Sequence, residues 1–178
     1  AIHGADKKKK PDRNNGANNK RDARNRNTGK PEQPRDPELQ QYGIYAKTAP
    51  RADAAPAIIT KLPLQLNKGD RIALIGNTLF ERSQFFGYFE SFLHQQFPEH
   101  NLVVRNLAWS ADTPDTQPRP ANFADIEQHL KHEKIDVVFA AFGFNESFAG
   151  DEGVDGFKQS LGEFVERIKT RTFNGEQA

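Results

Sequence analysis

The chain has 178 residues, 35% of them hydrophobic and 28% charged, with a formal net charge of +1. That is room for one ordinary domain plus a tail. The absence of Cys excludes disulfides, thiolate metal sites and a cysteine nucleophile. The longest apolar run, Val137 to Phe142, is too short for a transmembrane span or a signal-peptide core.

The charge is unevenly spread. Residues 1–38 hold eleven Lys/Arg against six Asp/Glu, and the remainder fourteen against eighteen. Residues 1–41 contain a Lys run (Lys7 to Lys10), repeated Asn and Arg, and almost nothing apolar. They cannot bury enough surface to offset their ordering entropy, so a disordered basic linker is expected. The Lys run has neither aromatic interleaving nor a folded basic face beside it, so nucleic acid is not an expected partner. Residues 42–62 are transitional. Tyr42, Ile44 and Tyr45 are candidates to pack on the domain, and Ala49 to Pro56 reads as a spacer. The sequence has no Met and begins at Ala1, which reads as a processed chain, an excerpt or a fragment.

The folded part is expected over 63–178. Leu62 to Leu66 alternates and suggests a short edge strand, with Pro63 arguing against a central one. Asn67 to Asp70 is a turn. Arg71 to Gly76 is an almost unbroken apolar run, as suits a strand covered on both faces. Leu79 to Phe97 carries Leu79, Phe85, Phe86, Phe89, Phe92, Leu93 and Phe97 at helical spacing, which predicts one helix with the phenylalanines in the core. A second strand covers Leu102 to Leu107. A long polar loop follows to Asn122, the plausible N-cap of a helix outlined by Phe123, Ile126 and Leu130. Ile135 to Phe142 is the third strand. The Gly-rich loop from Gly143 to Gly153 leads to a third helix outlined by Val154, Phe157, Leu161, Phe164, Val165 and Ile168.

Strand–helix alternation repeated three times predicts an α/β fold with a parallel sheet covered by helices on both faces. Three parallel strands make a small sheet, and Thr172 to Gly175 reads as a loop into a fourth. The domain is therefore expected to be incomplete at its C-terminus.

Three strand ends fall on one sheet edge, where open α/β folds collect ligands. They are Gly76-Asn77-Thr78, Asn106 to Thr113, and Gly143-Phe144-Asn145-Glu146. Two readings stand for Thr78. One is a capping box with Glu81; the other is a reactive hydroxyl. Asn145 reads either as a site residue or as a pin for its loop, and Ser110 and Asp112 as pocket lining or solvated loop. Ser83 reads as helix surface. His129 and His132 are spaced for a metal, but no third ligand accompanies them and they fall on the polar side of their helix. Neither Gly76 nor Gly143 belongs to a dinucleotide or nucleotide loop. No cofactor and no metal are called for.

The three blocks together resemble the SGNH (GDSL-type) hydrolases, a flavodoxin-like, three-layer α/β/α group of esterases, lipases and carbohydrate deacetylases. Gly76-Asn77-Thr78 stands where that family has Gly-Asp-Ser. Asn106 to Thr113 stands for Asn-x-Gly-x-Ser-Gly-Asp-Thr, with Ala108 and Ala111 in glycine places. Gly143-Phe144-Asn145-Glu146 stands for the third block. The resemblance covers about residues 68–171. It implies Thr78 as nucleophile, Asn145 as the oxyanion side-chain donor, the Ala108 backbone N–H as a second donor, and Asn77, Ser110 and Glu146 as binding residues. The family's Asp-x-x-His, its acid and base, occurs nowhere in this chain. The Gly-Asn-Thr-Leu form with its following Glu-Arg is similar to a branch in planctomycete-type bacteria, in proteins carrying further domains.

By that resemblance the intact parent hydrolyses an ester, with a small-molecule or carbohydrate ester as ligand and an extracytoplasmic location, and the chain as it stands is inactive. The other reading is a non-catalytic binding module on the same fold with a degenerate site.

Overall fold

The computed structural model describes Tyr45 and residues 47–175; the basic leader, Tyr42 and Ile44 lie outside the described residues. In chain order the elements are β1 (Asp53–Ala54), β2 (Arg71–Gly76), α1 (Thr78–Ser83), α2 (Tyr88–Gln96), β3 (Val103–Asn106), α3 (Ile126–His132), β4 (Val137–Ala141), a 3-10 segment (Glu146–Gly153), α4 (Val154–Lys169) and β5 (Arg171–Thr172). The fold is mixed α/β. Its main sheet is three-stranded and parallel, in the order β3–β2–β4, with Ile72 beside both Val104 and Val137.

The central strand is buried from Ile72 to Gly76, and its alternation divides the core. Ile72 and Leu74 meet Leu102 and the partly buried Phe80, Phe89, Leu93 and Phe97. Ala73 and Ile75 meet Ile126, Leu130, Phe164 and Ile168. Each large side chain so buried contributes about 1.5–3 kcal/mol. The apolar run therefore became a strand with helices packed against both sets of its side chains.

The single helix expected over Leu79–Phe97 is two. Ser83 Oγ donates to the Phe80 carbonyl at 2.7 Å, and Asn106 Nδ2 bonds the same carbonyl at 2.6 Å. Gly87 then takes a left-handed φ of +64° and closes the turn through its N–H to the Ser83 carbonyl. The break turns Leu79, Phe85, Phe86 and Phe92 outward, each about two-thirds exposed. The expectation that Phe85, Phe86 and Phe92 are core is overturned; Phe89 keeps its place in it.

The helix after the long loop begins later than expected. Its N-cap is Asp125, which forms a reciprocal capping box with Gln128, while Asn122 sits outside at φ +66°. Phe123 is not helical and instead bridges Tyr45. No strand forms over Leu62–Leu66. The short antiparallel pair in this part of the chain is β1 with β5, Asp53 facing Thr172. The chain continues along α4's end, with Ile58 N–H donating to the Lys169 carbonyl at 3.2 Å.

Two devices hold the strands in register. At the upper end Gly76 has φ +130°, and a Cβ there would lie 2.1 Å from the Ala141 carbonyl oxygen. Only glycine permits both this backbone and this approach of β2 to β4. At the lower end Glu133, just past α3, accepts from Arg71 at 3.0 Å and Arg105 at 2.8 Å, tying β2 and β3 to α3. Burial alone would raise the Glu133 pKa, but the Arg105 hydrogen bond and the charges of Arg105 and Arg71 outweigh it and hold the carboxyl below its ordinary 4.5.

Gly76→Ala is expected to cost about 3 kcal/mol or more, read as a lowered urea midpoint; an unchanged midpoint would show that the two strands are free to separate. Because the folded Glu133 pKa is depressed, its stabilisation is full above about pH 4.5 and is lost as pH falls through the lower folded value. The stability gap between wild type and Glu133→Gln should therefore close below that pH in denaturant titrations, and a constant gap would contradict the latch.

Candidate functional site

The parallel order carries the ends of β2, β3 and β4 to one edge of the sheet. Backbone hydrogen bonds join the loops that follow: Asn77 N–H to the Ala141 carbonyl at 3.2 Å, and Trp109 N–H to the Gly76 carbonyl at 3.1 Å. The Asn145 side chain then reaches the middle loop, Nδ2 donating to the Asp112 carbonyl at 3.3 Å. All three sequence blocks thus meet.

Thr78 is the first residue of α1, and Asn77 holds the cap position without a side-chain cap bond. This overturns the capping-box reading. From inside the helix the Thr78 hydroxyl is one position too late to cap it. The Glu81 carboxylate is engaged elsewhere, accepting from Ser110 Oγ at 3.1 Å. Among the described residues the Thr78 hydroxyl has no hydrogen-bond partner, and the residue is half-buried.

Beside it, Asn77 is 1% exposed and its Nδ2 is buried without a partner. Glu146 accepts from Gly143 N–H through Oε2 at 3.0 Å, while its Oε1 is buried and unpartnered. Leaving such a group unpaired costs about 1–3 kcal/mol. The same edge therefore holds one donor and one acceptor uncommitted to the fold.

The Ala108 N–H donates to Asn106 Oδ1 at 3.1 Å. In this state its hydrogen bond is made within the chain, and a ligand oxygen has to displace Asn106 to receive it. Asn106 was quoted in the second block without a role; it fastens this loop to α1 through the Phe80 carbonyl and Ser83 Oγ. Ser83 is accordingly part of that fastening rather than plain helix surface. Of the two alanines in glycine places, Ala111 takes a left-handed φ of +70° and Ala108 does not.

The long loop is built around a buried ion pair. Arg119 meets Asp112 through both nitrogens, at 2.8 and 2.7 Å, with the two side chains 6% and 2% exposed. Asp112 is therefore neither a solvated loop residue nor pocket lining. Arg119 also stacks over Trp109 at 4.5 Å, Trp109 packs on Phe123 and Phe123 on His129. Sequence reasoning missed Arg119; its only trace was one cation in a loop that already held Asp112.

His132 is exposed as expected, whereas His129 is not on a solvated face. Burial, with the nearby Arg119 and His132 charges, lowers its pKa below 6.5, so it is neutral at neutral pH. No group of three metal-binding side chains occurs among the described residues. Comparison with protein-family models, with curated proteins and with solved structures found no match to this chain.

Removing one partner of a buried bidentate pair strands the other charge. Arg119→Met is expected to cost about 3–5 kcal/mol and to red-shift the emission of Trp109, the single tryptophan. The double variant Arg119→Met/Asp112→Leu should recover most of that stability in denaturant titrations. Additive losses would show that the pair is not coupled.

Proposed function

We propose that this domain is of the SGNH ester-hydrolase type, with Thr78 as the acyl-accepting hydroxyl and an acyl ester, such as that of a carbohydrate, as substrate. One observation carries the reading. Thr78 follows the end of β2, at the sheet edge where the three strand-end loops are joined by hydrogen bonds, and its hydroxyl makes no hydrogen bond to the described residues. A hydroxyl that neither caps nor braces is available to a base that would activate it.

In this scheme the hydroxyl attacks the ester carbonyl, its proton passes to a base, and donors stabilise the tetrahedral oxyanion. Asn145 uses one Nδ2 hydrogen on the Asp112 carbonyl and has the other for the oxyanion. The Ala108 N–H joins if Asn106 gives way. Asn77 and Glu146 supply the uncommitted donor and acceptor, and Ser110 lines the entrance beside Glu81. The β-methyl of Thr restricts χ1 and slows attack relative to Ser. The base is expected from outside residues 1–178, as the family's Asp-x-x-His, and without it the hydroxyl stays protonated and the domain silent. The finer architecture belongs to the same proposal: a flavodoxin-like, three-layer domain that residues 63–178 begin and do not complete. The packing of α1 and α2 against Ile72 and Leu74, and of α3 and α4 against Ala73 and Ile75, supports it.

A second reading has its own support. The Ala108 N–H is already satisfied by Asn106, which suits a binding module whose oxyanion site has closed.

The test is hydrolysis of p-nitrophenyl acetate by the whole gene product. The hydrolase reading expects turnover that falls by roughly three or more orders of magnitude in Thr78→Ala. Activity that survives Thr78→Ala would remove Thr78 as nucleophile. A silent wild type that gains activity as Thr78→Ser would favour the binding module.

A further inference from the structure

Helix α2 carries aromatic side chains on two sides. Phe89 and Leu93 face the sheet, Phe89 meeting the rings of Phe80 at 5.8 Å and Phe139 at 5.9 Å. Tyr88 and Phe92, four residues apart and so on one side of the helix, are each about two-thirds exposed. The turn before α2 continues the same surface. Phe85 and Phe86 are exposed to the same degree, and the Phe86 ring lies parallel to that of Tyr88, with centroids 6.2 Å apart. Between those two rings Gly87 has open space where a Cβ would be, so the turn stands clear of the rest of the chain. An amphipathic helix ordinarily keeps its outer side polar; α2 and its turn put four aromatic rings there.

The size of this strip decides what it fits. With about 150–250 Å² for each aromatic residue, two-thirds of four such residues comes to roughly 400–650 Å². That matches or exceeds the largest apolar patch of an ordinary monomer, roughly 300–600 Å². Two such strips laid together bury roughly 800–1,300 Å² before any rim contact, most of the roughly 1,200–2,000 Å² of a stable protein–protein interface.

The charges beside the strip suit a second copy. Arg82 and Glu90 stand four residues to either side of Phe86, and both are exposed. The Glu81 carboxylate, 4.0 Å from Arg82, already accepts from Ser110, and Glu90 has no ion-pair partner among the described residues. A two-fold interface needs a surface complementary to itself. One cation and one anion on either side of an aromatic strip meet that condition. Arg82 is the only Lys or Arg between residues 79 and 97, too little charge to hold an anionic lipid surface. The basic leader has almost nothing apolar to lay on the rings.

We propose that Phe85, Phe86, Tyr88 and Phe92 form a homodimer interface. A second copy of this chain packs on the strip about a two-fold axis at Phe86, and Arg82 of each copy pairs with Glu90 of the other. The inference is independent of ester hydrolysis; an esterase-negative protein leaves it standing.

Sedimentation velocity on the whole gene product at roughly 10 µM chain tests it. The expected species is a dimer. Phe86→Ser/Phe92→Ser should weaken it by roughly 100-fold or more. Arg82→Glu and Glu90→Arg should each weaken it, because like charges then meet on both sides of the axis. Mixing these two single variants should restore a dimer, since each copy opposes the other's reversed charge, and restoration shows that both are folded. A monomeric wild type would overturn the inference. So would a dimer that the Phe variant leaves intact, single charge variants that dimerise as tightly as wild type, or single variants that stay apart when mixed. A monomer that floats with phosphatidylcholine vesicles through these phenylalanines would assign the strip to a lipid surface instead.

Discussion

The structure depends on how closely β2 can approach β4 at Gly76. Without a side chain there, the strand end lies against the Ala141 carbonyl, where a Cβ would be 2.1 Å from the oxygen. The next residue's N–H bonds that same carbonyl, which fixes Asn77 at the helix cap and Thr78 one step inside α1. The Glu133 latch fixes the other end of the strands through Arg71 and Arg105. Between these two anchors the apolar run of β2 has a single register, and the positions of the three strand-end loops follow from it.

The loop between β3 and α3 is the second constraint. A long polar segment at a sheet edge would ordinarily be mobile. Here the Asp112–Arg119 pair is buried and bidentate, Arg119 lies on Trp109, and Asn106 fastens the start of the loop to α1. The loop is thus a fixed wall of the candidate site, and Asn145 is referenced to it through the Asp112 carbonyl. Against this rigidity, Asn77 Nδ2, Glu146 Oε1 and the Thr78 hydroxyl stand out as groups the fold leaves unused. Uncommitted polar atoms clustered at one edge are what a ligand site offers before it is filled.

Much of this was legible in the sequence where the signal was local. Arg71 to Gly76 reads as a buried strand because five of its residues answer to one condition, coverage on both faces. The α/β alternation and the meeting of three blocks at one edge follow from the order of elements. The broken helix was not legible, because the apolar period runs on through Phe85 and Phe86, and only the Asn106 bond and Gly87 interrupt it. The capping box at Thr78 read well and did not form, because Gly76 and Asn77 set the register one residue earlier. Asp125 with Gln128 carried the same kind of signal and did form. Asp112 and Arg119 find each other through loop geometry, which no periodicity encodes.

The central claim is that Thr78 carries a reactive hydroxyl, and covalent capture tests it most directly. A fluorophosphonate transfers its phosphonyl group to an activated hydroxyl oxygen, with fluoride leaving and the hydroxyl proton taken up by the base. Treated with this probe and mapped by mass spectrometry, the whole gene product should carry the adduct on Thr78 and on no other hydroxyl, with none formed in Thr78→Ala. An adduct elsewhere, or none in a protein that hydrolyses esters, would contradict the account.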